Sequence, residues 1–405
     1  MDGSTDGRTD PGDPRVRRAR LAIAAVFAVH GAVSGNLATR IPWIQEHTGI
    51  GPGLLGLALT CPAVGAALAM PLAGRVGHRY GSRAGLRALL CLLCASLALP
   101  ALCPGLVALC GAMAVYGAAS GMADVAMNAL GVRTEELLGR PVMSGLHGMW
   151  SVGALAGSAA GTVAAHTGTG ARLHLGLAAV VLLGLGVLVC HGVLDLRPGP
   201  DEDAPPRFAL PRRAVLAIGA VGFCAVFAEG ASLDWSAVYL RDVIGSDAGV
   251  AAACTTAFSC TMAVARLAGD AVVGRFGPVR TVRAGGVLAG LGGILVVCAH
   301  EAVQAMAGFG LLGLGIAVVV PLAFAAAGRS GPEPSGAIAG VATITYTSWL
   351  VAPGLIGQLA HATSLTVSFT LVTVTAAGLT VVAGALRTPS GHAVETAAVS
   401  SPARR

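Results

Sequence analysis

The sequence predicts an all-α membrane protein with twelve transmembrane helices, arranged as two six-helix halves that repeat in parallel. Three observations carry this expectation. Of the 405 residues 55% are hydrophobic and only 11% charged, and the mean hydropathy is +0.75. A soluble domain carries about 25% charged residues, so this chain cannot cover itself with a hydrated surface. Apolar runs near the length a bilayer demands follow one another along almost the whole chain. Finally, a short basic loop, Gly74-Arg75-Val76-Gly77-His78-Arg79-Tyr80-Gly81-Ser82-Arg83, has an echo 196 positions later in Asp270 to Arg280, with Gly277 answering Gly81.

In chain order, residues 1–19 read as a polar, disordered tail ending in Arg15, Arg17 and Arg18. The arginines before Leu21 resemble the start of a signal peptide. The apolar run behind them is of spanning length and is followed by many like it, so an uncleaved first span is expected. The expected spans are 20–39, 52–73, 85–102, 105–128, 141–165, 173–194, 213–235, 248–271, 282–299, 302–326, 335–360 and 364–386. Glycine and proline interrupt many of them, which bilayer helices tolerate when neighbours satisfy the freed backbone groups. Residues 195–212 hold Pro198, Pro200, Pro205 and Pro206 among Asp and Glu, and read as a linker between halves at 20–194 and 213–387, with a tail at 388–405. Further loose matches lie at offsets of about 195 to 197: Gly111–Arg133 with Gly308–Arg329, and Ala165-His166 with Ala360-His361.

All 26 basic residues are arginine. With the N-terminus inside, 22 of them fall on inner segments, against Arg40, Arg172 and Arg241 on outer loops and Arg266 within a span. The positive-inside rule then places both termini in the cytoplasm of a plasma-membrane protein. The net charge of +6 is a topology signal, and no basic aromatic face points to nucleic acid. The ten cysteines lie mostly inside apolar runs. Cys91-x-x-Cys94 has redox spacing but no strand–helix context, so neither a disulfide nor a catalytic role is expected. No spacing suits a metal site, a nucleophile elbow or a phosphate loop; no enzyme activity and no cofactor are expected.

The repeated loop resembles the signature of the major facilitator superfamily, Gly-x-x-x-Asp-Arg-x-Gly-x-Arg, between its second and third helices. Gly74, Arg79, Gly81 and Arg83 match, and His78 stands where the aspartate belongs. In the second half Arg275, Gly277 and Arg280 follow in order, with Gly274 at the acidic position. The resemblance implies the major facilitator fold, with parallel halves about a midplane site. Four segments, Ala38-Thr39-Arg40-Ile41-Pro42, Asp124-Val125-Ala126-Met127-Asn128, His147-Gly148-x-x-Ser151-x-Gly153 and Ala228-Glu229-Gly230-x-x-x-Asp234-Trp235, look like those of uncharacterised bacterial permeases near the fucose permeases and the membrane protein of rhizopine gene clusters. That implies small, hydroxyl-rich substrates.

Ionisable groups in a bilayer cost a few kcal/mol each and need partners or a wet cavity. The candidates for substrate cavity or coupling are His30, Asn36, Asp124, Asn128, His147, Trp150, Glu229, Asp234, Tyr346 and Trp349. Depth arguments suggest a contact between Asp124 and His147, readable as a proton-responsive inner gate or as a static packing pair. Tyr346 and Trp349, with neighbouring threonines, suit a polyol or serve as helix glue. Gly153, Gly157 and Gly161 are expected to allow close helix packing. An ion pair between Arg266 and Asp270 is expected at the cytosolic boundary. The gate residues are Gly74, His78, Arg79, Gly81, Arg83, Asp270, Arg275 and Gly277. Arg79 and Arg83 are expected to pair with carboxylates such as Glu135 or Glu136 or with helix C-termini. With His78 in the acidic position, the latch is expected to rest on arginine–backbone and glycine contacts and to be weaker or pH-dependent.

These readings converge on a secondary transporter of a small polar solute (sugar, polyol or aminocyclitol-like), working as a monomer by alternating access with proton coupling. Proton-coupled efflux of drugs or of a secondary metabolite is the alternative. The span from Met143 to Ala165 lacks the Gly-Pro element usual in drug antiporters of the resembled superfamily, which weighs against it. A membrane solute sensor is the third reading.

Overall fold

In a computed structural model the described residues are 14–139, 142–195, 213–330 and 334–387, with the side chains of 144, 213–214, 334–336, 338–339 and 346 outside the description. The described residues form fourteen α-helices and two 3-10 turns. Helix α1 (Pro14–Ala38) is followed by the short α2 (Ile41–Thr48), which Pro42 opens. Gly49 closes α2 at φ 66°, its N–H returning to the Gln45 and Glu46 carbonyls. Then come α3 (Pro52–Tyr80), α4 (Ser82–Ser96), α5 (Leu106–Leu138), α6 (Met143–His166) and α7 (Ala171–Cys190). The second series is α8 (Arg213–Asp242), α9 (Ala248–Phe276), α10 (Pro278–Val297), α11 (Ala302–Ile316), α12 (Val319–Gly328), α13 (Pro334–Ala362) and α14 (Leu365–Val382). Asp247 and Ser364 cap α9 and α14, accepting the N–H of Val250 at 3.0 Å and Val367 at 3.2 Å.

Ten of these segments, counting α11 and α12 as one, are long and apolar enough to cross a membrane. The two remaining expected spans correspond to α6 and α13, 24 and 29 residues long. The helices outrun several expected spans: α5 continues to Leu138, α8 to Asp242 and α9 to Phe276. Of the expected linker at 195–212 only Asp195 is described; the rest, with most of both tails, lies outside the described residues.

The repeat is visible in the packing. In the first series α1 packs on α6 and α7, α3 on α5, and α4 on α5 and α7. In the second, α8 packs on α13 and α14, α9 on α11, and α10 on α11 and α14, which is the same plan element for element. The two turns that betray it in sequence share one backbone conformation, with φ 82° and ψ 156° at Gly81, and φ 78° and ψ 161° at Gly277. A side chain there would meet the left-handed penalty that glycine escapes.

Small residues set the closest approaches. Gly31 and Gly35 of α1 lie against the backbone of Trp150 and Ala154, while Gly153 and Gly157 of α6 lie against Ala28 and Ala32. The expected packing role of the α6 glycines is therefore what the structure shows. The core of the second series is aromatic: Tyr239, Phe309 and Phe369 meet edge to face with centroids 5.1–6.0 Å apart, and Tyr239 donates to the Val296 carbonyl at 2.9 Å.

The two series meet along two symmetry-related seams, α6 with α9 and α3 with α13. Their contacts gather toward the end remote from Gly81 and Gly277. There Gly56 faces Gly357, Gln358 donates to the Gly53 carbonyl at 3.2 Å, and the Thr162 and Thr256 hydroxyls are 2.8 Å apart. Two polar links from α2 to the end of α8 complete this closure: Arg241 to Glu46 at 2.6 Å and Gln45 to Asp242 at 3.2 Å. At the opposite end His78, Arg79, Tyr80, Asp270, Arg275 and Phe276 are all exposed. Among the described residues, the closure between the series thus lies at the end remote from Gly81 and Gly277.

Candidate functional site

The strongest polar cluster sits in mid-bundle around Arg266 on α9. Its Nη2 donates to both carboxylate oxygens of Glu229 on α8, at 2.8 and 2.9 Å. Its Nη1 donates to the Ser151 hydroxyl of α6 at 2.8 Å, and its Nε to the Ala317 carbonyl at 3.2 Å. Ala317 lies where α11 stops and α12 has not begun, so its carbonyl is free of a regular helical partner. One guanidinium therefore ties three elements of its own series to the other series. The side chains of Arg266 and Glu229 are 15% and 10% exposed. At that burial each charge needs the other, and a single terminal nitrogen serves both carboxylate oxygens.

A narrow cleft beside this pair is lined by Trp150, Ser151, Phe258 and Ser259 together with Glu229 and Arg266, and by the apolar Leu233 and Met262. Its lining thus combines aromatic rings, two buried serines and a mutually neutralised ion pair with apolar side chains. Trp150 is held in turn by His30 of α1, whose Nδ1 accepts the indole N–H at 3.0 Å. On its other side the His30 Nε2 lies 3.2 Å from the Ser120 hydroxyl and 3.3 Å from the Ser120 carbonyl of α5.

Asp124 and Asn128 of α5 are half-buried, and Asn128 donates to the Asp124 Oδ1 at 3.1 Å and to its backbone carbonyl at 2.8 Å. The expected contact between Asp124 and His147 is not a hydrogen bond in the structure; the side-chain partner of Asp124 is Asn128. His147 is exposed, packs its ring edge-on to Phe27 at 5.3 Å, and lies with His30 within electrostatic reach of Asp124. Asn36 faces a different network. Its Oδ1 lies 2.9 Å from His174 Nε2, while Arg40 donates to His174 Nδ1 at 3.0 Å and to the Thr169 carbonyl at 3.1 Å. Burial lowers the Arg40 pKa from the ordinary arginine value. Asp234 is half-buried on α8 within electrostatic reach of Tyr116 on α5. Trp349 is half-buried on α13, and Tyr346 lies on the same helix with its side chain outside the described ones.

One expected ion pair is corrected, and Arg83 of the basic loop takes the backbone alternative expected for it. Arg266 pairs with Glu229, not with Asp270, which is exposed one turn nearer Gly277. The reason is reach: a guanidinium in an apolar span turns toward the buried acid, whereas Asp270 already meets solvent. Arg83 does not meet Glu135 or Glu136; its Nε donates to the Val193 carbonyl at 2.8 Å, and Ser82 donates to the Leu194 carbonyl at 3.1 Å. Glu135 instead accepts the N–H groups of Val142 and Met143 at the start of α6, and Glu136 pairs with Arg133 at 2.8 Å. Arg79 lies over the Tyr80 ring at 5.6 Å, and in the second series Arg275 lies over Phe276 at 5.5 Å. His78 is exposed, Gly74 has open space around it, and Asp195 is the acid that stands against the Gly81 turn.

A repeated helical bundle closed at one end, with a charged site where its halves meet, defines a membrane transporter. The comparisons name the group. The family model of the Major Facilitator Superfamily matches residues 23–253, and the chain belongs to that superfamily. It is 34% identical over 368 residues to an uncharacterized transporter, y4wD, of Sinorhizobium fredii, covering 90% of this chain and 97% of that one. An uncharacterized MFS-type transporter of Yersinia pestis is 35% identical over 360 residues, 89% of this chain and 92% of its own. The membrane protein MosC of Rhizobium meliloti is 31% identical over 351 residues, with 85% and 84% covered. In fold the chain resembles the solved structure of the nucleoside transporter NupG (D323A mutant), with a TM-score of 0.71, 11% identity, and 91% and 99% of the two chains covered. The chain is a transporter and not an enzyme.

Proposed function

We propose that this chain is a secondary active transporter of a small polar solute of the sugar, polyol or aminocyclitol kind, coupled to protons. The observation that carries the reading is the Arg266–Glu229–Ser151 cluster beside the Trp150 indole, where the two series join. An aromatic face with neutral hydroxyls and a self-compensated ion pair suits a hydroxyl-rich ring, which stacks on the one and hydrogen-bonds to the other. Glu229 is the coupling carboxylate in this reading. Its protonation removes the charge that holds Arg266 and loosens the tie between the series. The arginine bias supports both termini, the Gly81 turn and the Gly277 turn as cytoplasmic, so that the sealed end faces outward in a plasma membrane. The working unit in this reading is a monomer.

The test is uptake and counterflow in proteoliposomes under an imposed pH gradient, screened over polyols, sugars and aminocyclitols. Glu229→Gln is expected to abolish gradient-driven accumulation and to leave counterflow. Unaltered accumulation and pH profile in that variant would remove Glu229 from coupling. Transport of lipophilic cations in place of polyols would turn the reading to drug efflux.

A further inference from the structure

We propose that His30 is a positioning residue for the solute cleft, acting through Trp150. The proposal rests on the cleft being the solute site, and it assigns His30 a function that contact with solute would not require.

The hydrogen-bond chemistry leaves one arrangement. An indole N–H only donates, so the His30 Nδ1 that lies 3.0 Å from the Trp150 Nε1 carries no proton. A neutral imidazole then carries its proton on Nε2, which faces the Ser120 carbonyl at 3.3 Å and hydroxyl at 3.2 Å, and a carbonyl only accepts. Ser120 thereby selects the tautomer that has a lone pair for Trp150. His30 itself is 5% exposed and does not line the cleft, whereas Trp150 does.

The backbone reinforces the alignment. Gly31, next to His30, allows the Trp150 carbonyl to lie against α1, and Gly153 admits Ala28 from the other side. The two helices are therefore pinned at this level, and the indole orientation is the remaining freedom. The hydrogen bond to His30 removes it. Three elements, α5, α1 and α6, form a relay that ends in the flat wall of the cleft.

Two variants separate the two ring nitrogens. His30→Asn places a polar atom where Nδ1 stood and loses the reach to Ser120. His30→Gln reaches toward Ser120 and has no acceptor at the Nδ1 position. The full chain is labelled with 5-fluorotryptophan, and the Trp150 signal among the four tryptophans is assigned with Trp150→Phe. The expected result is a Trp150 fluorine shift and acrylamide accessibility near wild type in His30→Asn and both displaced in His30→Gln. In counterflow of myo-inositol as probe, His30→Gln is expected to raise KM about tenfold with the maximal rate within about twofold, as loss of one hydrogen bond allows. His30→Asn is expected to restore KM. An unchanged Trp150 signal in His30→Gln, or identical displacement in both variants, overturns the proposal. The fluorine measurement needs no solute. If myo-inositol is not carried, the reading of the substrate class fails while the role of His30 stands or falls on the spectrum.

Discussion

Arg266 shows how one side chain can organise a membrane interior. Its guanidinium satisfies a carboxylate, a hydroxyl and a stray helical carbonyl, on three neighbouring segments. Removing it leaves Glu229 charged and almost unexposed. Arg266→Met should destabilise the protein by about 3–5 kcal/mol, the usual cost of breaking a buried pair from one side. Arg266→Met with Glu229→Met should recover most of that loss, because no lone charge remains. Thermal unfolding in detergent micelles checks both, and a double variant no better than the single would refute the pairing argument. The sequence showed that Arg266 stands in an apolar span and that Glu229 lies in another, but not that they meet. Spacing along one helix favoured Asp270, a single turn away; the actual partner is 37 residues distant in sequence and adjacent only after α8 and α9 pack.

Among the elements, α1 and α6 make the closest pairing through glycines whose Cβ positions are occupied by the facing backbone. Gly153→Val should disrupt that contact by about 1–3 kcal/mol or more, since backbone cannot yield as a flexible side chain can. Gly74 is the control: space around it is open, so Gly74→Ala inside α3 should be neutral or stabilise by up to about 1 kcal/mol. Comparing the two by urea or thermal unfolding tests whether a glycine here serves contact or conformation. The small-residue stripe of α6 was legible because its four-residue spacing repeats on one helical face. The matching stripe of α1 was not, because Gly31 and Gly35 form a single step that acquires meaning only against a partner.

At the scale of the whole molecule, the same packing plan appears in both series, and the sealed end is held by two seams and two polar links. Arg241 and Glu46 are 37% and 49% exposed, so their pair contributes only about 0.2–1 kcal/mol. That is small for stability. In a conformational equilibrium it still moves the population ratio by up to about fivefold. Arg241→Gln should accordingly shift the protein toward opening at this end, seen as faster modification of a cysteine placed at Gln45 in a background free of the ten native cysteines. Joining cysteines at Gln45 and Asp242 with a short thiol-specific bridge should stop counterflow, and a cleavable bridge should restore it on reduction. Continued flux in the bridged protein would mean that this end need not open.

Composition and the length of apolar runs were enough to recover the membrane class and the approximate placement of the spans, and the repeated glycine–arginine loop pointed to the doubled plan. Those follow from constraints acting locally along the chain: a bilayer needs about twenty apolar residues per helix, and a tight turn at positive φ needs glycine. The partner of Arg266, the relay from Ser120 through His30 to Trp150, and the choice of which end is sealed depend on distances between helices remote in sequence. Such distances are set by close packing of many weak contacts, which no single run of residues encodes. His78 is the boundary case. Its departure from the superfamily loop was plain in the sequence, yet the acid that stands at the Gly81 turn, Asp195, arrives from more than a hundred residues away once α7 has folded back onto α4.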